Sequence, residues 1–295
     1  MRRWAHRTHL AGLLALAVAA CARGERAPAD GPIAVTDDAG RTVALAAPAH
    51  RIVSLLPSFT EILFAIGAGD RVAGRTTWCD YPPEAREIPS VGDGIPPNVE
   101  AVAARRPDLV VVYRSGPNVT AAEQLERLGI STVLFDLNRL EDLGPVIRRL
   151  GVLTGRRAPA DSLAHVMDSL ASEPPAPSPQ SLVFIVWDNP PIVIGGGSYL
   201  DRLAALAGAR NVFHDIGSPS AQVSIETIAA RDPDFVAVLA DTARPPAYAT
   251  RREWRAVRAV RQGRFLYLPG TLFGRPSPRA ALAVREFRRL LEVAQ

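Results

Sequence analysis

The sequence predicts an α/β protein of two similar lobes, each built on a mainly parallel sheet, with a cleft between them. The first observation is an internal copy. Glu100-Ala-Val-Ala-Ala-Arg-Arg-Pro107-Asp108-Leu-Val-Val-Val112 recurs as Glu226-Thr-Ile-Ala-Ala-Arg-Asp-Pro233-Asp234-Phe-Val-Ala-Val238. Glu226 follows Glu100 by 126 residues, and Pro233 follows Pro107 by the same 126. Each copy reads as a short helix, stopped before proline, then a buried apolar strand. A spacing that long is no solenoid period. The second observation is the alternation of strand and helix patterns along the chain, which implies βαβ units. The third is length, because 295 residues can bury one large core or two ordinary ones.

Residues Ile33 to Leu45 form an expected hairpin turning at Asp38-Ala39-Gly40. Arg51 to Leu56 is a buried strand ended by Pro57, and Ser58-x-x-Glu61 reads as a capping box opening a helix that stops at Gly67. Arg71 to Gly74 is a short strand. The first repeat copy gives a helix and the strand Leu109 to Tyr113, then a helix at Ala121 to Leu128 and a strand at Thr132 to Phe135. Leu140 to Leu153 is helical, with Pro145 in its first turn. Pro159 to Ala171 carries Leu163, Val166, Met167 and Leu170 on one helix face, ahead of the linker Pro174-Pro-Ala-Pro-Ser-Pro179. Beyond the linker come strands Leu182 to Trp187 and Ile192 to Ile194, a helix from Gly195-Gly-Gly-Ser198 to Leu206, the second repeat copy, the strand Phe265 to Leu268, and a last helix opened by Ser277-Pro278.

The first twenty residues stand apart. Arg2, Arg3 and Arg7 precede the apolar run Leu10 to Ala19 and then Val18-Ala19-Ala20-Cys21. The run is too short to span a bilayer, which needs ~20 residues, and reads as a removed export signal. The small residues before Cys21 resemble a bacterial lipobox, so Cys21 is the expected lipidation site and mature N-terminus. Residues 21–32 have the composition of a tether. With Cys21 assigned to lipid, Cys79 has no partner for an intrachain disulfide, and the lobes must be held by their cores.

The formal charge is +4, and losing the three leader arginines leaves about +1. There is no lysine, and the arginines are dispersed. A nucleic-acid partner is therefore not expected. His50, His165 and His214 lack metal-ligand spacing. Gly195-Gly-Gly-Ser198 lacks the phosphate-loop pattern, and Ser198-x-x-Asp201 reads as a capping box. No nucleophile elbow, metal triad or close carboxylate pair is legible, so no enzyme is expected and no resident cofactor.

Trp78, Tyr81, Tyr113, Trp187 and Phe273 fall at strand ends or in the following loops, where open α/β sheets bind ligands. Together they suit a large flat ligand, although each taken singly could equally be core. Arg75, Arg114 and Arg275 lie in the same loops and could pair with anionic oxygens, or be solvated surface charges. Cys79 could be a soft metal ligand if it faced the cleft; a buried inert thiol is the alternative.

Arg51-Ile-Val-Ser-Leu, Cys79-Asp-Tyr-Pro-Pro83, Asn98-Val-Glu100 with Pro107-Asp-Leu-Val-Val, Gly195-Gly-Gly-Ser-Tyr with Asn211-Val-Phe, Val223-Ser-Ile-Glu226 and Phe273-Gly-Arg-Pro-Ser-Pro-Arg279 together resemble the periplasmic binding proteins of ATP-driven importers for cobalamin and ferric siderophores. The resemblance runs from Ile33 to the C-terminus. It implies two Rossmann-like lobes, at residues 33–156 and 180–295, joined by one rigid helix within 157–173. Over Pro159 to Ala171 that helix would be ~20 Å long at ~1.5 Å per residue. It also implies a lipid-anchored, monomeric protein of the periplasm and cell envelope that passes a ligand to ABC permease subunits. In such proteins a glutamate on each lobe meets permease arginines, and Glu100 and Glu226 match; electrostatic support of their helix N-termini is the plain alternative. The ligand implied is a cobalt corrinoid, the alternative an iron chelate such as a ferric siderophore or haem. An exported enzyme or structural lipoprotein reusing the fold is a separate class. Gly94 and Ser220 stand where cobalamin binders would lead one to expect tryptophan.

Overall fold

The computed structural model describes residues 33–294; the expected export signal, the expected lipidation site Cys21 and the expected tether lie outside them. Strands β1 (Ile33–Thr36) and β2 (Thr42–Leu45) pair antiparallel. Gly40 turns the hairpin with φ +77°, a conformation open to glycine at little cost. The hairpin covers the edge of the first sheet, since Asp38 donates its N–H to the Leu134 carbonyl at 2.9 Å.

That sheet has four parallel strands in the order β4 (Val72–Arg75), β3 (Ile52–Ser54), β5 (Leu109–Tyr113), β6 (Thr132–Phe135). Its helices are α1 (Pro57–Ala65), α2 (Val99–Ala103) and α3 (Gly116–Arg127). The chain then runs through α4 (Leu143–Leu153) and α5 (Arg157–Ser172), which pack together, and crosses residues 173–179 into the second sheet. Helix α5 has 16 residues, longer than the sequence pattern predicts, or ~24 Å at ~1.5 Å per residue. Pro159 falls inside its first turn, where the missing N–H has no acceptor to lose.

The second sheet is also mainly parallel, as expected, with three parallel pairings and two antiparallel ones that the sequence pattern does not predict. Parallel pairs join β7 (Gln180–Asp188) to β9 (Ala209–Asn211) and to β11 (Phe235–Leu239), and β11 to β12 (Phe265–Leu268). The long strand β7 also turns back on β8 (Pro191–Ile194), which pairs with β10 (Ser220–Gln222), both antiparallel. The direct β7–β8 hairpin leaves no room for a crossover helix, so this pair must be antiparallel. Helices α6 (Tyr199–Ala207), α7 (Ile225–Arg231), α8 (Arg258–Arg261), α9 (Gly270–Phe273) and α10 (Ala280–Val293) complete the lobe.

The repeat is structural in detail. Asn98 caps α2 by accepting from the Ala101 N–H at 3.0 Å, and Ser224 caps α7 by accepting from Thr227 N–H at 3.2 Å. Before each proline the chain turns left-handed, at Arg106 (φ +49°) and Asp232 (φ +42°). The two aspartates that follow staple neighbouring strand starts. Asp108 accepts from the N–H groups of His50 and Arg51 at 2.8 and 2.9 Å, and Asp234 accepts from Ser181 N–H at 2.9 Å and its hydroxyl at 2.8 Å.

Alternate residues of each strand enter different cores. Val53, Val110 and Leu134 face a first-lobe cluster with Leu125; Val183, Val236 and Trp254 face a second-lobe cluster. The opposite faces share one core. Ile52, Phe59 and Phe135 from the first lobe, Met167 of α5, and Leu203, Phe273 and Phe287 from the second belong to one continuous cluster. The lobes are thus fused through an apolar seam, with no disulfide among the described residues.

Candidate ligand site between the lobes

The seam opens at the carboxyl ends of the strands into two cavities that meet at Gly274 and Arg275. The larger, about 380 Å³, is walled by Leu55, Leu56, Pro57, Trp78 and Ile95 of the first lobe and by Gly270, Gly274 and Arg275 of the second. The smaller, about 200 Å³, lies between Leu137 and Asn138 on one side and Ser198, Tyr199, Ser220 and Arg275 on the other. The Tyr199 N–H donates to the Asn138 carbonyl at 2.8 Å across this gap.

Trp78 stands at the mouth of the larger cavity with 64 % of its surface exposed. Tyr81, exposed on the same loop, has the Arg279 guanidinium 3.9 Å from its ring centroid. Tyr113 ends β5 and donates its hydroxyl to Asn138 Oδ1 at 2.8 Å, which links it to the smaller cavity's wall. Trp187 is exposed at the β7–β8 turn, where its Nε1–H donates to the Asn189 carbonyl at 2.8 Å; it lines neither cavity. Phe273 borders the smaller cavity but exposes no surface to it. It is fully buried, edge-on to Phe287 at 5.6 Å, because the short helix α9 turns it into the shared core.

The arginines are committed to protein partners. Arg75 donates to the carbonyls of Thr76 at 2.8 Å and Arg86 at 2.9 Å. Arg114 pairs with Asp136, its Nε–H at 3.0 Å, and that carboxylate raises its pKa further. Arg275 reaches across the seam to Glu61 at 2.9 Å, to the Trp78 carbonyl at 3.1 Å and to Asp80. Arg279 grips the same Glu61 with two bonds, at 2.7 and 2.6 Å. Burial alone would lower the Arg279 pKa, but the Glu61 carboxylate outweighs it and raises the value. Burial, and then the Glu61 charge, push the Tyr199 hydroxyl well above the ordinary tyrosine value. Two guanidinium groups balance Glu61 and Asp80 at the cleft floor, and Asp93 adds a further carboxylate to the wall of the larger cavity.

Glu61, Asp80, Asn138 and Arg279 were not singled out in the sequence. Glu61 was assigned to a capping box that does not form. Leu56 is the helix cap, without a side-chain bond, because the helix starts at Pro57 and so places Ser58 inside its first turn rather than at the cap. Buried Ser58 makes no cap, and Glu61 is turned into the seam. Asp80 and Arg279 did lie within quoted motifs, the signal that could have found them. The Ser198 hydroxyl does cap α6, accepting from Asp201 N–H at 3.1 Å, but the buried Asp201 carboxylate serves Asn211 and His214 instead. Each glycine of Gly195-Gly-Gly197 lies so close to the backbone of residues 214–218 that no Cβ fits. Cys79 is buried, its Sγ within 3.1 Å of the Thr60 hydroxyl and 3.2 Å of that of Thr76. It does not face the cleft.

Glu100 and Glu226 are exposed in the first turns of α2 and α7. Its own backbone N–H and the Ser224 hydroxyl hold the Glu226 carboxyl below the usual value. Each follows by six residues the paired positions Gly94 and Ser220 beside the cleft.

A model of the family described as "Periplasmic binding protein" matches residues 52–272. The chain belongs to that family. The vitamin B12-binding protein of Vibrio cholerae serotype O1 is 28 % identical over 257 residues, covering 84 % of this chain and 91 % of the relative. The vitamin B12-binding protein of Pectobacterium atrosepticum is 31 % identical over 209 residues, covering 67 % and 74 %. Among solved structures, the periplasmic vitamin B12 binding protein BtuF of Vibrio cholerae superposes with a TM-score of 0.67 at 26 % identity, over 84 % of this chain and 98 % of its own. The periplasmic haem-binding protein BhuT, in complex with two haems, gives 0.70 at 25 %, over 84 % and 99 %. The two-lobed fold is therefore that of periplasmic solute-binding proteins, not of an enzyme, and binding proteins of this family serve ABC importers.

Proposed function

We propose that the protein captures a corrinoid of the vitamin B12 class between its lobes and hands it to the permease of an ABC importer, docking through Glu100 and Glu226. The observation that carries the ligand class is the pairing of an exposed indole, Trp78, with a charge-balanced floor. An indole face and the apolar walls Leu55, Leu56 and Ile95 suit a flat macrocycle. A haem or an anionic siderophore would favour a free cation, yet Arg75, Arg114 and Arg275 are each bound by protein oxygens. Recruiting Arg275, the arginine that lines both cavities, would strip a partner from buried Glu61, a loss that offsets the gain.

The missing tryptophans have a local reason at one position. Gly94 has φ +86°, and a Cβ there would meet Thr76 Cγ2 at 2.6 Å and the Leu55 carbonyl at 3.0 Å. No indole fits that backbone, so the stacking surface on this wall falls to Trp78.

Membrane attachment would rest on lipidated Cys21. Cys21→Ser is expected to give soluble protein or unprocessed precursor; mature variant that still partitions with membranes would place the anchor elsewhere. The ligand is tested by calorimetry of mature protein against cyanocobalamin, haemin and ferric siderophores. Heat with cyanocobalamin is expected. Heat only with an iron chelate would move the assignment to that class, and none with any would favour a non-transport role.

A further inference from the structure

Loop 76–81 carries both exposed aromatics of the first-lobe wall, yet its own lobe fixes mainly its beginning. Thr77 N–H donates to the Gly92 carbonyl at 2.9 Å, its hydroxyl to Asp93 at 2.6 Å, and the Cys79 side chain is buried among threonines. Beyond that point the first lobe contributes one bond, from Arg86 Nε–H to the Asp80 carbonyl at 3.1 Å. The rest comes from the second lobe. Arg275 takes the Trp78 carbonyl and the Asp80 carboxylate, and Arg279 lies on the Tyr81 ring. Both arginines lie against one carboxylate, Glu61, with a side chain only 2 % exposed: Arg279 through two hydrogen bonds, Arg275 as an ion pair with its Nε at 2.9 Å.

We propose that Glu61, through Arg275 and Arg279, is the positioning residue of the ligand platform: it fixes where Trp78 and Tyr81 stand, and so sets affinity without touching ligand. This rests on the reading that loop 76–81 receives the ligand. Cohesion between the lobes is not a sufficient account of the cluster, because the apolar seam of Phe59, Phe135, Leu203 and Phe273 already joins them. Buried ion pairs carry a desolvation cost that a well-packed apolar contact avoids. Their benefit is directional. A guanidinium fork fixes two oxygens at defined angles, which lysine does not reproduce. Here the fork ties the floor of the cleft to the loop that bears its aromatic wall. The cluster also reassigns Arg275, which holds the platform in place of binding an anion.

The test compares Glu61→Gln, Arg275→Lys and Arg279→Lys with the parent, first without ligand. The indole N–H resonance of Trp78, identified by its loss in Trp78→Phe, is followed by NMR alongside that of core residue Trp254. The proposal expects the Trp78 resonance to shift or broaden in Glu61→Gln and Arg275→Lys while that of Trp254 stays in place. An unmoved Trp78 resonance in the folded variants overturns it. The second readout is a double-variant cycle with cyanocobalamin as probe. Glu61→Gln alone should weaken binding at least ~10-fold, but less than ~2-fold further in a Trp78→Ala background, because acting through Trp78 makes the effects non-additive. Additive losses overturn the proposal. Should the parent give no heat with cyanocobalamin, the ligand assignment fails on its own and the resonance measurement still decides the positioning role. If Glu61→Gln does not fold, the two lysine variants, which keep the charge, decide it.

Discussion

Replacing Trp78 by alanine separates a ligand surface from a packing residue, and its size can be worked out from exposure. A tryptophan side chain offers roughly 200–250 Å², and Trp78 leaves 64 % of its surface in water. A flat ligand covering half of that exposed part would bury about 75 Å² of indole, worth ~2 kcal/mol at ~25 cal/mol per Å². Affinity should therefore fall roughly 20- to 30-fold. The third of the indole already buried is worth at most ~2 kcal/mol of stability, so Tm should fall by only a few degrees. The assay is calorimetric titration with the ligand that gives heat to the parent, paired with thermal melting. Trp254→Ala is the control, since Trp254 is fully buried and tilted on Tyr248 at 4.5 Å; it should lose ~3–5 kcal/mol of stability. If Trp78→Ala leaves affinity within about threefold while its Tm falls as far as that of the control, Trp78 is packing and the stacking account is wrong.

Glu100→Lys combined with Glu226→Lys should leave ligand affinity intact and abolish uptake in a transport assay. As helix-end charges alone they are worth only ~0.3–1 kcal/mol each, so normal uptake would remove the docking role. Phe273→Ala should behave as a core lesion, losing ~3–5 kcal/mol of stability by denaturant titration; unchanged stability with weakened binding would return Phe273 to the cleft. Acid should destabilise the fold through Asp37 and Asp234. Burial would raise both carboxyls, but hydrogen bonds from Arg41 and the Leu134 amide to Asp37, and from Ser181 and Arg258 to Asp234, lower them instead. Folded values below the unfolded ~3.9 mean that this stabilisation is complete above about pH 4 and lost as pH falls through the depressed values. Melting from pH 7 to 3 should show it, and Asp37→Asn with Asp234→Asn should flatten the acid slope.

What the sequence determined by itself was local or repeated. The hairpin at Gly40, the strands Leu109–Tyr113 and Thr132–Phe135, and the caps Asn98 and Ser224 follow from turn chemistry, apolar runs and short-range hydrogen bonds, all within a few residues. The duplicated Pro-Asp step gave two lobes, because the same residues meet the same backbone needs in both. Only the tertiary structure decided which charges face one another. Glu61 and Arg279 are 218 residues apart, and no local pattern distinguishes a carboxylate that caps a helix from one that crosses a seam to two arginines. Nor could the sequence divide its aromatics. Trp78 and Phe273 both lie near strand ends, yet one stands in water and the other packs on Phe287, because exposure depends on which way a loop turns against the opposite lobe. Periodicity reports the face that a strand or helix buries; a loop has no period, and Trp78, Ile95, Asn138 and Arg275 of this cleft all lie in loops.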